Sequence, residues 1–412
     1  MNSIDFAIRK INALIETIEL VKEMDFPYSD PKKAVIYIGK HFIELKKDLE
    51  GVENSNVART LCKQVIHEID QYLLALGFMV RACDVRGPLE LQRPLLRLTH
   101  LAIGTEVKLV ISSEWGFSPF TLLYPGQFGD QFVLVGLPAS EAGNPLIAPL
   151  SGHELGHNIW RRAVDLQETV GDQIKSSIVE IIRDEMWAQF SSSFGITSKD
   201  QLDQEDLFKD TSWQIAFAWA ISQCEEMFCD FVGVFTFGES YLHAFRYLLS
   251  PGGGPRNPVY PSDRNRVESI AKAAASLGIE VAEFASEFLD SDGNFDPRQQ
   301  LLLSLSDKAT LRLMDVLIEK AKTFCQEKGI SGHDPSGTDS VLKHLQRATP
   351  ATGAKSLANI LNAAWRIYLD PANPWGKDYP VTNHDPDKRI LLLRELTLKS
   401  FEVFEIEQIQ GS

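Results

Sequence analysis

Cysteine is scarce in this chain: Cys62, Cys83, Cys224, Cys229 and Cys325 are the five among 412 residues. An odd, scattered set provides no disulfide framework, so a reducing compartment, the cytoplasm, is expected. Long apolar runs are absent as well. None approaches the ~18 residues needed to cross a bilayer, and the longest, Trp213 to Ala220, runs into Ser222, Gln223, Glu225 and Glu226. Met1 to Lys10 has no basic segment leading into an apolar one and does not read as a signal peptide. Repeats and low-complexity tracts are missing. Basic residues are outnumbered, 41 against 56 acidic, for a net charge of -15. Binding a phosphate backbone needs clustered Lys and Arg, so neither nucleic acid nor a membrane is an expected partner.

What remains is an ordinary globular composition, long enough for two or three domains. Ile4, Ile8, Ile11, Ile15 and Ile18 recur in steps of four and three and make one helix face. Ile38, Phe42, Leu45 and Leu49 predict a second helix, and Val57, Leu61, Val65, Ile69 and Leu76 a third. From Glu106 to Leu137 the chain turns β-branched and aromatic. Val107 to Ile111, Phe120 to Tyr124 and Phe132 to Leu137 are the expected strands, with Pro125-Gly126 in one connection. A helix is expected from near Pro149 past Trp160 toward Val170, with Gly171 as its stop. Others follow over Asp172 to Phe190 and Trp213 to Phe235, and again from Asp263 to the end. The expected organisation is a helical region over 1–90, a catalytic domain over 91–290 and a helical region over 291–412.

The chemistry concentrates in His153-Glu154-Leu155-Gly156-His157. Histidines four apart lie one turn apart on the same helix face, where both imidazoles can reach one ion at about 2.0–2.1 Å. Glu154, turned by about one residue, falls beside such an ion and can act as general acid/base toward water ionised there. A catalytic zinc takes three protein ligands and keeps one position open. A downstream histidine at the usual spacing is excluded, because Trp160 and Ala163 occupy the positions that would need Gly and His. The remaining candidate is Glu226, with Asp230 four residues on and able to accept the second ring N–H of a ligand histidine. Glu225 is the rival ligand. Ile215, Phe217, Ala218, Trp219, Met227, Phe228, Phe231 and Val232 surround these carboxylates, and acids on so apolar a helix need a compensating partner if buried.

This pairing of His-Glu-x-x-His with a later Glu-x-x-x-Asp resembles the gluzincin metallopeptidases. It is closer still to the CAAX prenyl protease family and its bacterial relatives, whose Glu-x-x-x-Asp-x-x-Gly is matched by Glu226, Asp230 and Gly233. Their later His-Pro-x-x-x-x-Arg is matched at Pro261 and Arg266, with Tyr260 in the histidine's place. The resemblance spans Asn144 to Arg266. It implies a mainly helical α+β fold with a zincin-like core and a small mixed or antiparallel sheet, flanked by helical N- and C-terminal regions. It implies peptide hydrolysis with zinc as cofactor and a peptide or protein as substrate. Tyr260 or His243 is then expected to stabilise the oxyanion, and Arg266 to orient substrate or support the Glu226 region. Strand Phe132 to Leu137 is a candidate cleft edge for pairing with extended substrate.

A competing expectation keeps the zinc but makes the chain a regulatory or partner-binding protein with weak, conditional or no peptidase activity. The terminal helical regions, candidates for holding a protein partner, motivate it. A third expectation is hydrolysis of a non-peptide amide. Asp290, Asp292, Asn294 and Asp296 imitate a calcium loop, but Phe295 and Leu301 stand at its glycine and glutamate positions, so an acidic turn is expected.

Overall fold

The computed structural model describes residues 3–52, 55–84, 87–116, 118–124, 126–203, 212–280, 283–290, 293–370, 372, 374–375 and 385–410. Pro125 and Asp292, placed above in a turn and in the acidic stretch, lie outside the described residues. Within them the protein is mainly helical with one small mixed sheet, an α+β architecture. It forms two compact units, Met1–His100 with Gly104–Gly143, and Leu101–Ile103 with Asn144–Ser412. The three strands therefore fall in the first unit with the N-terminal helices, and the His153 helix falls in the second.

The first unit begins with α1 (Ser3–Lys22), α2 (Ser29–Glu50), α3 (Ser55–Asp84) and α4 (Leu89–Ala102). Ile11 and Ile18 of the α1 stripe are fully buried, with Ile4, Ile8 and Ile15 packed at the edge of the same core. Ile38, Phe42, Leu45 and Leu49 of α2 are buried as their spacing predicts. Then come β1 (Lys108–Glu114), β2 (Phe120–Leu122), α5 (Gly126–Gln131) and β3 (Phe132–Pro138). The strand order is β1-β3-β2, with β1 parallel and β2 antiparallel to β3. Every residue of β3 is buried, which explains its unbroken apolar sequence. This corrects one expectation. With β1 along the whole of one edge and β2 against Leu134 to Gly136 on the other, β3 is the central strand and not an open edge for an extended substrate.

The second unit enters through a short 3-10 segment, Pro145–Leu150, and continues with α6 (Ser151–Arg162), α7 (Val164–Asp184), α8 (Trp187–Phe194), α9 (Ser212–Phe237), α10 (Glu239–Leu249) and α11 (Asp263–Ala275). It ends with α12 (Pro297–Arg312), α13 (Met314–Glu327), α14 (Pro335–Gln346), α15 (Leu357–Leu369) and α16 (Pro386–Gln410). The helix expected to run through to Val170 is two helices, broken at Ala163 (ψ 64°). The Trp160 carbonyl there accepts from the Ala163 amide at 3.0 Å and from Gln167 Nε2 at 2.6 Å, and α7 passes straight through Gly171. Asp296 caps α12 in a reciprocal arrangement with Gln299, so this acid of the calcium-like stretch serves a helix start. At the centre lies α9. Met227 to Phe237 is buried without interruption, as a helix apolar on all sides must be, and α6, α7, α11, α12 and α13 pack around it.

In the first unit the outer edge of β1 is closed by side chains. Tyr28 Oη accepts from Ile111 N–H at 2.6 Å and donates to Ile111 O at 3.2 Å, while Asp30 Oδ2 accepts from Leu109 N–H at 3.3 Å. An open strand edge invites pairing with other chains. Tyr28→Phe leaves the Ile111 amide without its acceptor and is expected to destabilise the unit by about 1–3 kcal/mol. A urea titration should show a lowered midpoint with an unchanged slope.

Candidate metal centre

The site starts from small residues. A Cβ at Gly156 would lie 2.6 Å from the Cα of Cys229, and one at Gly152 would lie 3.0 Å from the Cα of Gly233. The backbones of α6 and α9 therefore approach as closely as residues without side chains permit. Across this contact His153 and His157 on α6 face Glu225, Glu226 and Asp230 on α9. The imidazole centres are 4.9 Å apart and the rings nearly perpendicular, at 84°.

Each imidazole is held from behind by its own carboxylate. Asp230 Oδ1 lies 2.8 Å from His153 Nδ1, and Glu225 Oε1 lies 2.8 Å from His157 Nδ1. A carboxylate at Nδ1 fixes the tautomer and leaves the other nitrogen free to bind. Both free nitrogens point at Glu226: His153 Nε2 is 3.3 Å from Oε2, and His157 Nε2 is 3.7 Å from Oε1. Among the described residues His153, His157 and Glu226 are the group whose donor atoms lie close enough together, within 4.8 Å, to hold a metal. Bonds of about 2.0–2.1 Å in a tetrahedron separate neighbouring donors by about 3.3–3.4 Å, close to the shorter distance here. Glu226 Oε2 is buried with no hydrogen-bond partner among the described residues. Such an acceptor is costly unless a cation answers it. Two imidazoles and a carboxylate suit several divalent transition ions.

The remaining electrostatics follow from burial. Asp230 is 1% exposed. Burial works against its charge, but Arg266 and then His153 override that and hold the carboxyl well below the usual range. Arg266 grips it with two bonds, Nε to Oδ2 at 2.6 Å and Nη2 to Oδ1 at 2.9 Å, and Nη2 also lies 3.8 Å from Glu226 Oε2. Burial raises the Glu154 carboxyl; the two imidazoles pull it back and Glu226 pushes it further up. The charge of Glu226, followed by burial, raises the phenol of Tyr260. The Arg266 guanidinium carbon is 5.1 Å from the ring centre of Phe245 and 5.8 Å from that of Tyr260.

The structure thus brings His153, His157, Glu226, Asp230 and Arg266 together, with Glu154 on the same helix and Tyr260 beside Arg266. His243 stands apart: its ring packs on Trp365 at 5.6 Å, and no hydrogen bond or ion pair among the described residues joins it to the cluster. The sequence reading missed the role of one participant and the presence of another. Glu225, weighed only as a rival ligand, orients His157. Tyr241, not singled out, donates its hydroxyl to Asp230 Oδ1 at 2.6 Å. A Cβ at Gly233 would lie 2.3 Å from the Tyr241 ring, so the glycine that completes Glu-x-x-x-Asp-x-x-Gly makes room for this phenol. That glycine was the available signal. No protein-family model, curated protein or solved structure matches the chain.

His243 gives a pH prediction that is independent of any metal. Burial, then the charges of Arg246 and Arg366, push its imidazole down to about 4, against about 6.5 in an unfolded chain. The unfolded chain therefore binds a proton between pH 6.5 and 4 that the folded protein refuses. Stability is unaffected above that window and falls by up to about 3 kcal/mol on descending through it. His243→Gln should flatten this fall, measured by urea unfolding at several pH values.

Proposed function

We propose that the protein is a zinc-dependent metallopeptidase with a zincin-like core, in which His153, His157 and Glu226 hold the ion. The observation that carries this reading is the arrangement of the imidazoles: each is anchored at Nδ1 by a separate carboxylate, and both turn Nε2 toward a third, that of Glu226, whose buried Oε2 makes no well-formed hydrogen bond among the described residues. Zinc supplies Lewis acidity, bringing the ionisation of water to near pH 7 and polarising a carbonyl.

The chain's own residues do the rest. Glu154 accepts a proton from water and returns it to the leaving amine; its burial keeps the carboxyl above its ordinary range, which suits a group that must both take and give a proton. Asp230 and Glu225 fix the ring orientations of His153 and His157. Arg266 and Tyr241 hold Asp230 in turn. Tyr260 is the candidate to donate a hydrogen bond to the developing oxyanion. The substrate is a peptide or protein, and the scattered cysteines favour a cytoplasmic setting.

One observation favours a second reading, a zinc-containing regulatory or partner-binding protein. His153 is 9%, Glu226 8% and Glu154 4% exposed, which gives substrate little room to approach. Glu154→Gln separates the two. In the peptidase, turnover of a mixed peptide library falls by at least about a hundredfold with metal content unchanged. Turnover that survives the substitution rules out Glu154 as the acid/base.

The ligand set has its own test. Metal content after dialysis is expected to collapse in Glu226→Ala. In Glu225→Ala it should persist with affinity reduced about 10- to 100-fold, as for loss of a group that orients a ligand. The reverse result reassigns the third ligand.

A further inference from the structure

Beside the metal centre, within the second unit, lies a cavity of about 300 Å³. It shares two residues with the centre, Arg266 and Tyr260, and its body is formed by Phe245, Leu249, Val267 and Phe288. The volume is at the lower end of small-molecule sites, ~300–1,000 Å³, so one large side chain is a suitable occupant and a second domain is not.

The charges of the lining decide what kind of side chain. Two arginines border the cavity, and both are matched internally. Arg266 is gripped by Asp230 through two bonds. Arg256, its side chain 5% exposed, pairs with Asp307 at 2.7 Å and donates to the carbonyls of Asn257 and Tyr260. An acidic ligand group thus meets, among the described lining residues, no arginine that is not already paired with a carboxylate. Asp263, the one carboxylate of the lining, stands on the rim and accepts from the Gly253 amide at 3.2 Å; it can attract a cation to the mouth, but the walls behind it are aromatic and aliphatic and offer a buried cation no partner.

We propose that this cavity binds an uncharged aromatic side chain of a peptide engaged at the metal centre. Its position next to a scissile bond rests on the peptidase reading; the class of side chain rests on the cavity alone. Arg256 sets the wall: its bonds to Asn257 O, Tyr260 O and Asp307 tie the loop that carries Tyr260 to α12, and Gln223 Nε2, bonded to Pro258 O and Asp307 Oδ1, ties the same loop to α9.

The experiment uses the full chain with labelled methyl groups and three probes: the N-acetyl amides of phenylalanine, aspartate and lysine. The phenylalanine amide is expected to shift the methyl resonances of Leu249 and Val267, and the other two to leave them in place. Phe288→Ala should weaken that binding about 10- to 100-fold, the worth of burying one large apolar side chain. Gly254→Trp is the second variant. Its position has a non-positive φ and open space around an added Cβ, so it tolerates a side chain, which here should obstruct the cavity. Equal shifts from the lysine or aspartate amide, or none from the phenylalanine amide, overturn the proposal. Peptide turnover is measured in parallel with one residue varied at a time. Binding of the phenylalanine amide without turnover of any peptide supports the cavity and removes the peptidase reading. Turnover indifferent to aromatic residues, with no methyl shifts, removes the cavity and leaves that reading standing.

Discussion

Two carboxylates buried on an apolar helix make the demand that the rest of this site answers. Glu226 and Asp230 sit on α9, 8% and 1% exposed, and an ionised acid in such surroundings is unstable without a partner. Asp230 is answered from three elements: by His153 on α6, by Tyr241 on α10 and by Arg266 on α11. Each answer has a steric condition. His153 comes within reach because Gly152 and Gly156 let α6 settle against α9. Tyr241 comes within reach because Gly233 clears space for its ring, and because the chain reverses at Gly238, whose φ of 62° favours glycine. The glycines and the acids are thus parts of one requirement.

This coupling explains what the sequence disclosed. Contacts between residues three or four apart on one helix are written in the spacing, and these were legible: the histidine pair, Glu226 with Asp230, and the apolar stripes of α1 and α2. The strands were legible too, because β3 is buried on both faces and reads as an unbroken apolar run. Contacts between helices distant in sequence leave no such record. The partnership of Glu225 with His157 depends on the rotation of α9 about its axis, which spacing alone does not give, since Glu225 and Glu226 are neighbours. Tyr241 was hidden for the same reason. The break at Ala163 carries no proline or glycine, so local composition did not announce it. The role expected of β3 as a substrate edge failed for a different reason. Whether a strand has a free edge is a property of the sheet, and the order β1-β3-β2 places it in the middle.

The two arginines near the cavity show how the same chemistry serves different ends. Arg256 is buried and Arg266 nearly so, and both face a carboxylate, yet only Arg266 borders the centre. A planar guanidinium can satisfy a carboxylate with two bonds while its faces stack on rings. Arg266 does this between Asp230 and the rings of Phe245 and Tyr260. Lysine, with a compact charge and no flat face, could hold Asp230 but would leave both rings without their partner. Arg256 distributes its donors over two carbonyls and Asp307, and so organises backbone. The outcome is a wall whose cations are internally balanced.

Charge balance also bears on what the proposed centre would hold. Glu226 and Asp230 are buried on α9, and Glu154 is buried near them on α6. Arg266 and His153 both face Asp230. Without a cation, Asp230 and Glu226 prevail over burial and lift the His153 imidazole to about 10. On Nε2 that proton would face Glu226 Oε2, 3.3 Å away. On the reading proposed above, a divalent ion would take this place and answer the buried carboxylates with two charges where a proton supplies one. Binding it would expel the proton from His153 Nε2, because a nitrogen that carries hydrogen has no lone pair to donate.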